Sequence, residues 1–512
     1  MIDFANVSFV GISGQIGAAL MASGSNVTFA GNITFTNNVA VVGGAVYLAT
    51  SKMTLTGSNY FMNNVAVFQS KAYFNDVLCN DSTSILERSV DQDNGSGGAI
   101  FCNNSTIAIS GNSTFVNNTA ERVGGAVAVL NGSSITIQAS TLFDRNSVSD
   151  GDNITSTEGD FYCPSGGGAM YSSNSEVFLA KTTFSSCYSS CGGGALQFDQ
   201  SIVTIHGIDM INNSAQFIAG AMRLINSSLM LNGTNWFRSN VVFHGDAGAL
   251  ELINCSKVWL DGEVHFINNS CQQGFSGAVA LINSRSTIEL RGTSSFKNNT
   301  ASYGGALGID SATVEFVGTS FLENNAAYNG GAVYMYQANV SFIGNSTFRN
   351  NRASGSPTFS PAGGALYAND SIVFILTAVT FGQNTATDSG GAIASYNSVW
   401  QLVGDVKFDE NAADNGGAMA LYGTTKLILS QNLDASFTGN KARTNGGAMF
   451  FMDSVSSSQC STGSVPIDCF VSFSSTDPLE DDISFTFVNN SARVRGSAVS
   501  YTHLTLPTIY SV

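Results

Sequence analysis

The sequence predicts an all-β chain wound as a parallel β-solenoid, with three short strands in each coil. Three observations predict it. A Gly-Gly-Ala-aliphatic motif recurs, mostly every 26 to 28 residues, along the 512-residue chain. Two further stretches of alternating apolar and polar residues follow each motif, the second of them ending in Phe-x-x-Asn. Composition agrees: 43% hydrophobic residues are too many for a disordered chain, and 54 Gly beside 6 Pro excludes collagen and a Pro-rich linker.

The first strand of a coil begins at the Gly pair, as in Gly43-Gly44-Ala45-Val46, Gly125-Ala126-Val127, Gly220-Ala221-Met222 and Gly277-Ala278-Val279. The residue after Ala is aliphatic. The next is mixed (Tyr47, Gln197, Arg223, Glu251, Gly308), which is expected only of a column that faces outward. The Gly pair frees the backbone at a corner, and Ala lets neighbouring coils approach. A second strand follows, as in Val27-Thr28-Phe29, Ile135-Thr136-Ile137 and Ile288-Glu289-Leu290. The third ends in the motif seen at Phe35 to Asn38, Phe115 to Asn118 and Phe408 to Asn411. Its Phe is expected to stack inward as a ladder. Its Asn is expected to accept a left-handed corner and to hydrogen-bond from coil to coil.

About seventeen units result. One is a decayed copy: Asn63-Asn64-Val65-Ala66 repeats Asn37-Asn38-Val39-Ala40, which puts Lys71-Ala72-Tyr73-Phe74 where Ala45-Val46-Tyr47-Leu48 stood. The repeat domain is expected over residues 1–498, with loops projecting near 75–96, 146–166, 353–362 and 452–484. Pro164, Pro357, Pro361, Pro466 and Pro478 fall in these loops, so none interrupts a stacked strand. Residues 499–512 match no repeat position and resemble the translation of a sequencing-library adapter, so a non-native tail is expected there. The native chain is expected to extend beyond both ends, because solenoids need caps.

A net charge of −16, from 36 acidic and 20 basic residues, speaks against nucleic acid as a partner. The four His are scattered and no Cys-x-x-Cys pair occurs, so no metal is expected, and no motif calls for a cofactor. The longest apolar run, around Ile372 to Val379, is too short to cross a bilayer. Nine Cys suit an oxidising compartment. Cys460 with Cys469 is the best local disulfide candidate, and Cys163 is placed to meet Cys187 or Cys191; Cys79 with Cys102 and Cys255 with Cys271 are further pairings. Asn-x-Ser/Thr sequons number 21, about twice what composition alone gives, and include Asn26, Asn32, Asn112, Asn131, Asn226, Asn232, Asn345 and Asn369. Glycosylation on a secretory route and the Asn-rich chemistry of the repeat itself are the two explanations.

Residues in the outward columns of neighbouring coils stack at about 4.8 Å, close enough to act together. Glu289 and Glu315 fall in one such column with Trp259, while Asp261 and Arg291 share the next. Two carboxylates that close suit a retaining glycosidase or the binding of a cation, with Trp259 as a sugar platform. The competing reading pairs Asp261 with Arg291, which then screens both glutamates in a solvated charge ladder. Arg223 over Glu251 is expected to be a structural pair of the same kind. Tyr47, Phe101, Tyr171, Tyr334, Tyr367 and Phe450 share an outward column, either as contacts for a partner or as cross-strand stabilisers.

The pairing of Gly-Gly-Ala-aliphatic with Phe-x-x-Asn, in this order from residue 17 to 498, resembles the repeats of the chlamydial-type polymorphic outer-membrane proteins. The resemblance implies a right-handed, pectin-lyase-like β-helix at the cell surface, acting as a non-enzymatic adhesin or stalk. Implied partners are proteins or glycans of a host or neighbouring cell surface, with membrane attachment only through flanking domains. Similar repeats also occur in secreted and surface proteins of eukaryotes. The alternative is a polysaccharide-active β-helix using Glu289, Glu315 and Arg291.

Overall fold

The computed structural model describes residues 1–68, 94–149, 156–157, 160–161, 165–283, 287–326, 328–355, 360, 362–430, 432–452, 471–473 and 483–501. All the secondary structure described there is β-strand or isolated bridge. The chain divides into two units, residues 1–257 and 258–512, and each is a parallel β-solenoid.

In the first unit a representative coil runs through Val46–Ala49, Lys52–Leu55, Ser58–Met62 and Val65–Ala66. Equivalent strands of successive coils pair in parallel at fixed register: Val46 with Ile100, Ile100 with Val127, Val127 with Met170. That register follows from the period-2 pattern, because a one-residue slip would turn every apolar side chain out of the core. Val46, Leu48, Met53, Leu55 and Phe61 are fully buried. The expected Phe ladder forms, with Phe61, Phe115 and Phe143 stacked at 4.6 Å between successive ring centroids. In the second unit Phe381, Phe408 and Phe437 repeat the arrangement at 5.0 and 4.6 Å.

The Asn ladder also forms. Asn38 Nδ2 donates to Asn64 Oδ1, Asn64 to Asn118 and Asn118 to Asn146, each at 2.9 Å. Asn351, Asn384, Asn411 and Asn440 do the same in the second unit at 2.9 to 3.0 Å. The second amide proton of each reaches a main-chain carbonyl beside the Phe ladder, as from Asn384 to Phe348 O at 2.9 Å. The left-handed corner, however, belongs to the residue before the ladder Asn: Asn37, Asn63, Asn117, Arg145, Ser186, Asn212, Gln383 and Glu410 carry φ near +50° to +56°. One residue bends the chain and the next bonds across coils, which corrects the assignment of both tasks to one Asn. At the Gly pair the first residue is left-handed (Gly43, φ 58°). The second has no room for a side chain, since a Cβ on Gly44 would lie 2.0 Å from the Gly98 carbonyl oxygen.

Eight strands that begin at a Gly pair are described in each unit, sixteen in all rather than seventeen. The missing one is the decayed copy. Val46–Ala49 pairs directly with Ile100–Asn103, and Lys71 to Phe74 lie outside the described residues. The loop expected from residue 146 starts later, because Asn146 is a ladder member and Ser147–Val148 pairs with Thr119–Ala120. Within 452–484, Val471–Phe473 pairs with Leu427–Leu429. At the far end Val499–Tyr501 pairs with Met449–Phe451 and continues the ladder; residues 502–512 lie outside the described residues. The motif misleads at Phe321. There Leu322 takes the ladder position opposite Phe296 and Phe348, and Phe321 is 49% exposed.

Candidate functional site

A solenoid offers function its lateral faces, so the expected site residues are judged by what covers them. In the second unit the middle strands hold the charged column. Glu289 is aligned with Trp259 on one side and Glu315 on the other. Trp259 Nε1 donates to Glu289 Oε1 at 3.2 Å, and Arg291 Nε donates to Glu289 Oε2 at 2.7 Å. The Arg291 guanidinium lies 4.0 Å from the Trp259 ring centroid, and its Nη1 is 4.0 Å from Asp261 Oδ2. Both Glu289 oxygens are therefore engaged, and a cation covers one face of the indole. Acid–base chemistry here would first require Glu289 to part from Arg291, and a sugar on Trp259 would have to displace the guanidinium.

The outer face of the Gly-pair strands is largely covered. In the first unit Tyr47, only 5% exposed, stacks on Phe101 at 5.3 Å beneath Val41, Val42 and Val123, with Tyr171 half-buried at the edge of the cluster. Val41 and Val42, which precede the Gly43-Gly44 pair, and Val123, which precedes Gly124, pack on these rings. Tyr47 thus lacks the exposure expected of its column. Further along that face Arg223 Nε donates to Glu251 Oε2 at 2.9 Å, with Glu251 1% exposed. Burial pushes the Glu251 carboxyl up to about 7, opposed by the Arg223 charge.

The second unit carries a run of half-buried tyrosines on the same face. Tyr303 meets Tyr328 and Tyr334 at 5.2 and 5.3 Å, Tyr334 stacks on Tyr367 at 5.3 Å and 4°, and Tyr396 stacks on Tyr422 at 4.6 Å and 8°. Tyr367 and Tyr396 are linked at 5.6 Å. Tyr334 and Tyr367 were expected in this column. Tyr303, Tyr328, Tyr396 and Tyr422 were not, although Tyr303 stands directly before a Gly pair and Tyr396 and Tyr422 are the last residues of their strands. Burial raises the phenols of Tyr334, Tyr367 and Tyr396, and pushes that of Tyr422 up to about 12. Rings stacked on one another cover each other's faces, and the Tyr422 hydroxyl is bonded to Ser389.

The sequons sit at corners and strand starts. Asn26, Asn32, Asn112, Asn131, Asn226 and Asn345 are exposed, while Asn232 and Asn369 are half-buried. At Asn117-Asn118 and Asn212-Asn213 the acceptor is the exposed residue and the ladder Asn follows it. Among the cysteines, Cys191 is disulfide-bonded. Cys187, its alternative, is a buried thiol. It occupies the ladder position between Asn146 and Asn213, facing the core, and burial pushes it up to about 12. Cys102, Cys255 and Cys271 are likewise buried thiols, so the pairings proposed for them are not formed. Cys163, Cys460 and Cys469 lie outside the described residues. Among the described residues no group of three or more His, Cys, Asp and Glu could hold a metal ion, and no helix is long and apolar enough to cross a membrane.

Comparison with known proteins gives one match. The family model of the Chlamydia polymorphic membrane protein repeat matches residues 26–49 and 378–396. Each stretch runs through Phe-x-x-Asn and a Gly pair into the following strand. No curated protein and no solved structure matches the chain.

Proposed function

We propose, for a chain that carries Chlamydia polymorphic membrane protein repeats on a parallel β-solenoid, the role of a non-enzymatic surface or secreted protein that binds a partner along its sides. The observation that carries this reading is the division of labour within each coil. Phe, Asn and Gly hold most rungs of the stack in one geometry, while the outward positions change from coil to coil, so recognition surface is added without disturbing the core. Proteins or glycans of a neighbouring cell surface are the partners, and exposed corner sequons such as Asn112 and Asn345 are available for glycosylation on a secretory route.

The test is adhesion of beads coated with the full chain to a panel of cells and immobilised glycans. Saturable binding supports the proposal, and binding to no surface overturns it. The alternative, a polysaccharide-active solenoid, draws on the alignment of Glu289 with Glu315. Reducing-end release from a polysaccharide panel, abolished in Glu289→Gln, would replace the adhesive reading with the enzymatic one.

A further inference from the structure

A groove of about 490 Å³ runs across successive coils of the second unit, at the corner before the Gly pairs. Its floor includes Ala386, Ala413 and Ala442, and its lining contains Lys441, Arg443 and Arg493 but no carboxylate. In a chain with 36 acidic and 20 basic residues, such a surface stands against the overall charge. We infer that this groove binds an extended, sulfated polysaccharide. The inference deepens the recognition reading above and rests on it.

The register explains how the cations come together. Lys441 is aligned with Ser491 and Ala442 with Ala492 on neighbouring strands, which stand about 4.8 Å apart, and Arg443 and Arg493 are each one residue further on in adjacent coils. Arg443 is oriented by its ion pair with Asp414 and by donating from Nη2 to Thr387 O at 3.1 Å. Lys441 and Arg493 are exposed and, among the described residues, have no ion-pair partner. Arg352 stands in the same column, with Thr385 and Ala412 between it and Lys441.

The small side chains of the floor give a concave track that a chain can lie along. They offer no aromatic surface for stacking bases, which is what single-stranded nucleic acid sites use. The regular step from coil to coil suits a polymer that carries its charges at short, even intervals. Arginine fits such a ligand because its planar fork donates two parallel bonds to an oxyanion.

The experiment is calorimetric titration of the full chain with a heparin-derived oligosaccharide at low salt, repeated with Lys441→Glu/Arg493→Glu. The control is Lys407→Glu/Lys426→Glu, which makes the same charge change at exposed positions of the same unit outside the groove. Binding that weakens with salt, falls at least about tenfold in the groove variant and stays unchanged in the control is expected. Equal loss in both variants, or none in either, overturns the site. Equal affinity for a single-stranded DNA of matched length overturns the ligand class, as does equal affinity for unsulfated polygalacturonate. If coated beads still adhere to cells while the groove variant adheres equally, only this inference fails; if no surface is bound at all, the recognition reading fails with it.

Discussion

Cys187→Asn should stabilise the first unit. In the neighbouring coils the position is a ladder Asn, and a complete one makes four side-chain bonds: Asn118 accepts at Oδ1 from the Asn64 main chain and amide at 3.0 and 2.9 Å, and donates to Asn146 Oδ1 and Phe61 O at 2.9 and 3.0 Å. At Cys187 the Asn146 main chain and amide face a sulfur instead, and the thiol reaches Phe143 O at 3.7 Å. An amide oxygen would turn two weak contacts into ordinary hydrogen bonds, and its NH₂ would add bonds to Asn213 Oδ1 and Phe143 O. With a net worth of about 0.5 kcal/mol for each of the four, less some crowding, the gain is about 1–2 kcal/mol. In a unit of this size that raises Tm by roughly 2–8 °C. Differential scanning calorimetry of the full chain measures it, with Cys187→Ala as the companion, expected to fall below wild type because the Asn146 groups lose their acceptor. A Cys187→Asn melt at or below wild type, or a Cys187→Ala melt equal to it, would refute the ladder argument.

Three further outcomes follow from the same geometry. Phe115→Ala opens a hole in a ladder stacked at 4.6 Å on both sides and should cost about 3–5 kcal/mol in urea unfolding. Ser239→Gly, at a left-handed corner with φ 54°, should raise stability by about 0.5–1 kcal/mol, whereas Gly at a ladder Asn such as Asn240 should destabilise in the same assay. Glu251 holds its proton to a higher pH in the folded than in the unfolded chain, so the native state binds more protons between the ordinary carboxylate range and about 7. Its contribution to stability is therefore largest in acid and falls as pH rises through that window, and Tm of wild type relative to Glu251→Gln should decline from pH 5 to pH 8.

What the sequence made legible was whatever repeats with the coil. The Gly pair, the inward Phe and the ladder Asn recur because parallel stacking places each against its own copy, so one steric or hydrogen-bonding requirement is written many times. The outer face of the Gly-pair strands was harder to read. Tyr47, Gln197, Arg223 and Glu251 look like solvent-facing residues in the alignment, yet all four are buried. Tyr47 is covered by Val41, Val42 and Val123, which precede Gly pairs in a segment whose sequence varies between coils and so leaves no periodic signal. Phe321 shows the other limit. Phe184 to Cys187 departs from Phe-x-x-Asn by one letter, so the motif itself puts Cys187 in an Asn position, but only the register shows that Leu322 has replaced Phe321. The basic groove is invisible for a related reason: Lys441, Arg443 and Arg493 are separated by up to 52 positions and meet only because the intervening chain returns to the same column.

The direct pairing of Val46–Ala49 with Ile100–Asn103 has a consequence for how such a chain can change over time. The two rungs are 54 positions apart, twice the usual interval, and still align residue for residue. Contour length between Phe68 and Asn94 is thereby uncoupled from the alignment of everything on either side. A segment exchanged there alters neither the spacing of the Phe ladder nor the hydrogen bond from Asn64 to Asn118. Such a junction works like a siding on a railway: new sequence can be shunted in, tried and discarded while the main line stays in gauge.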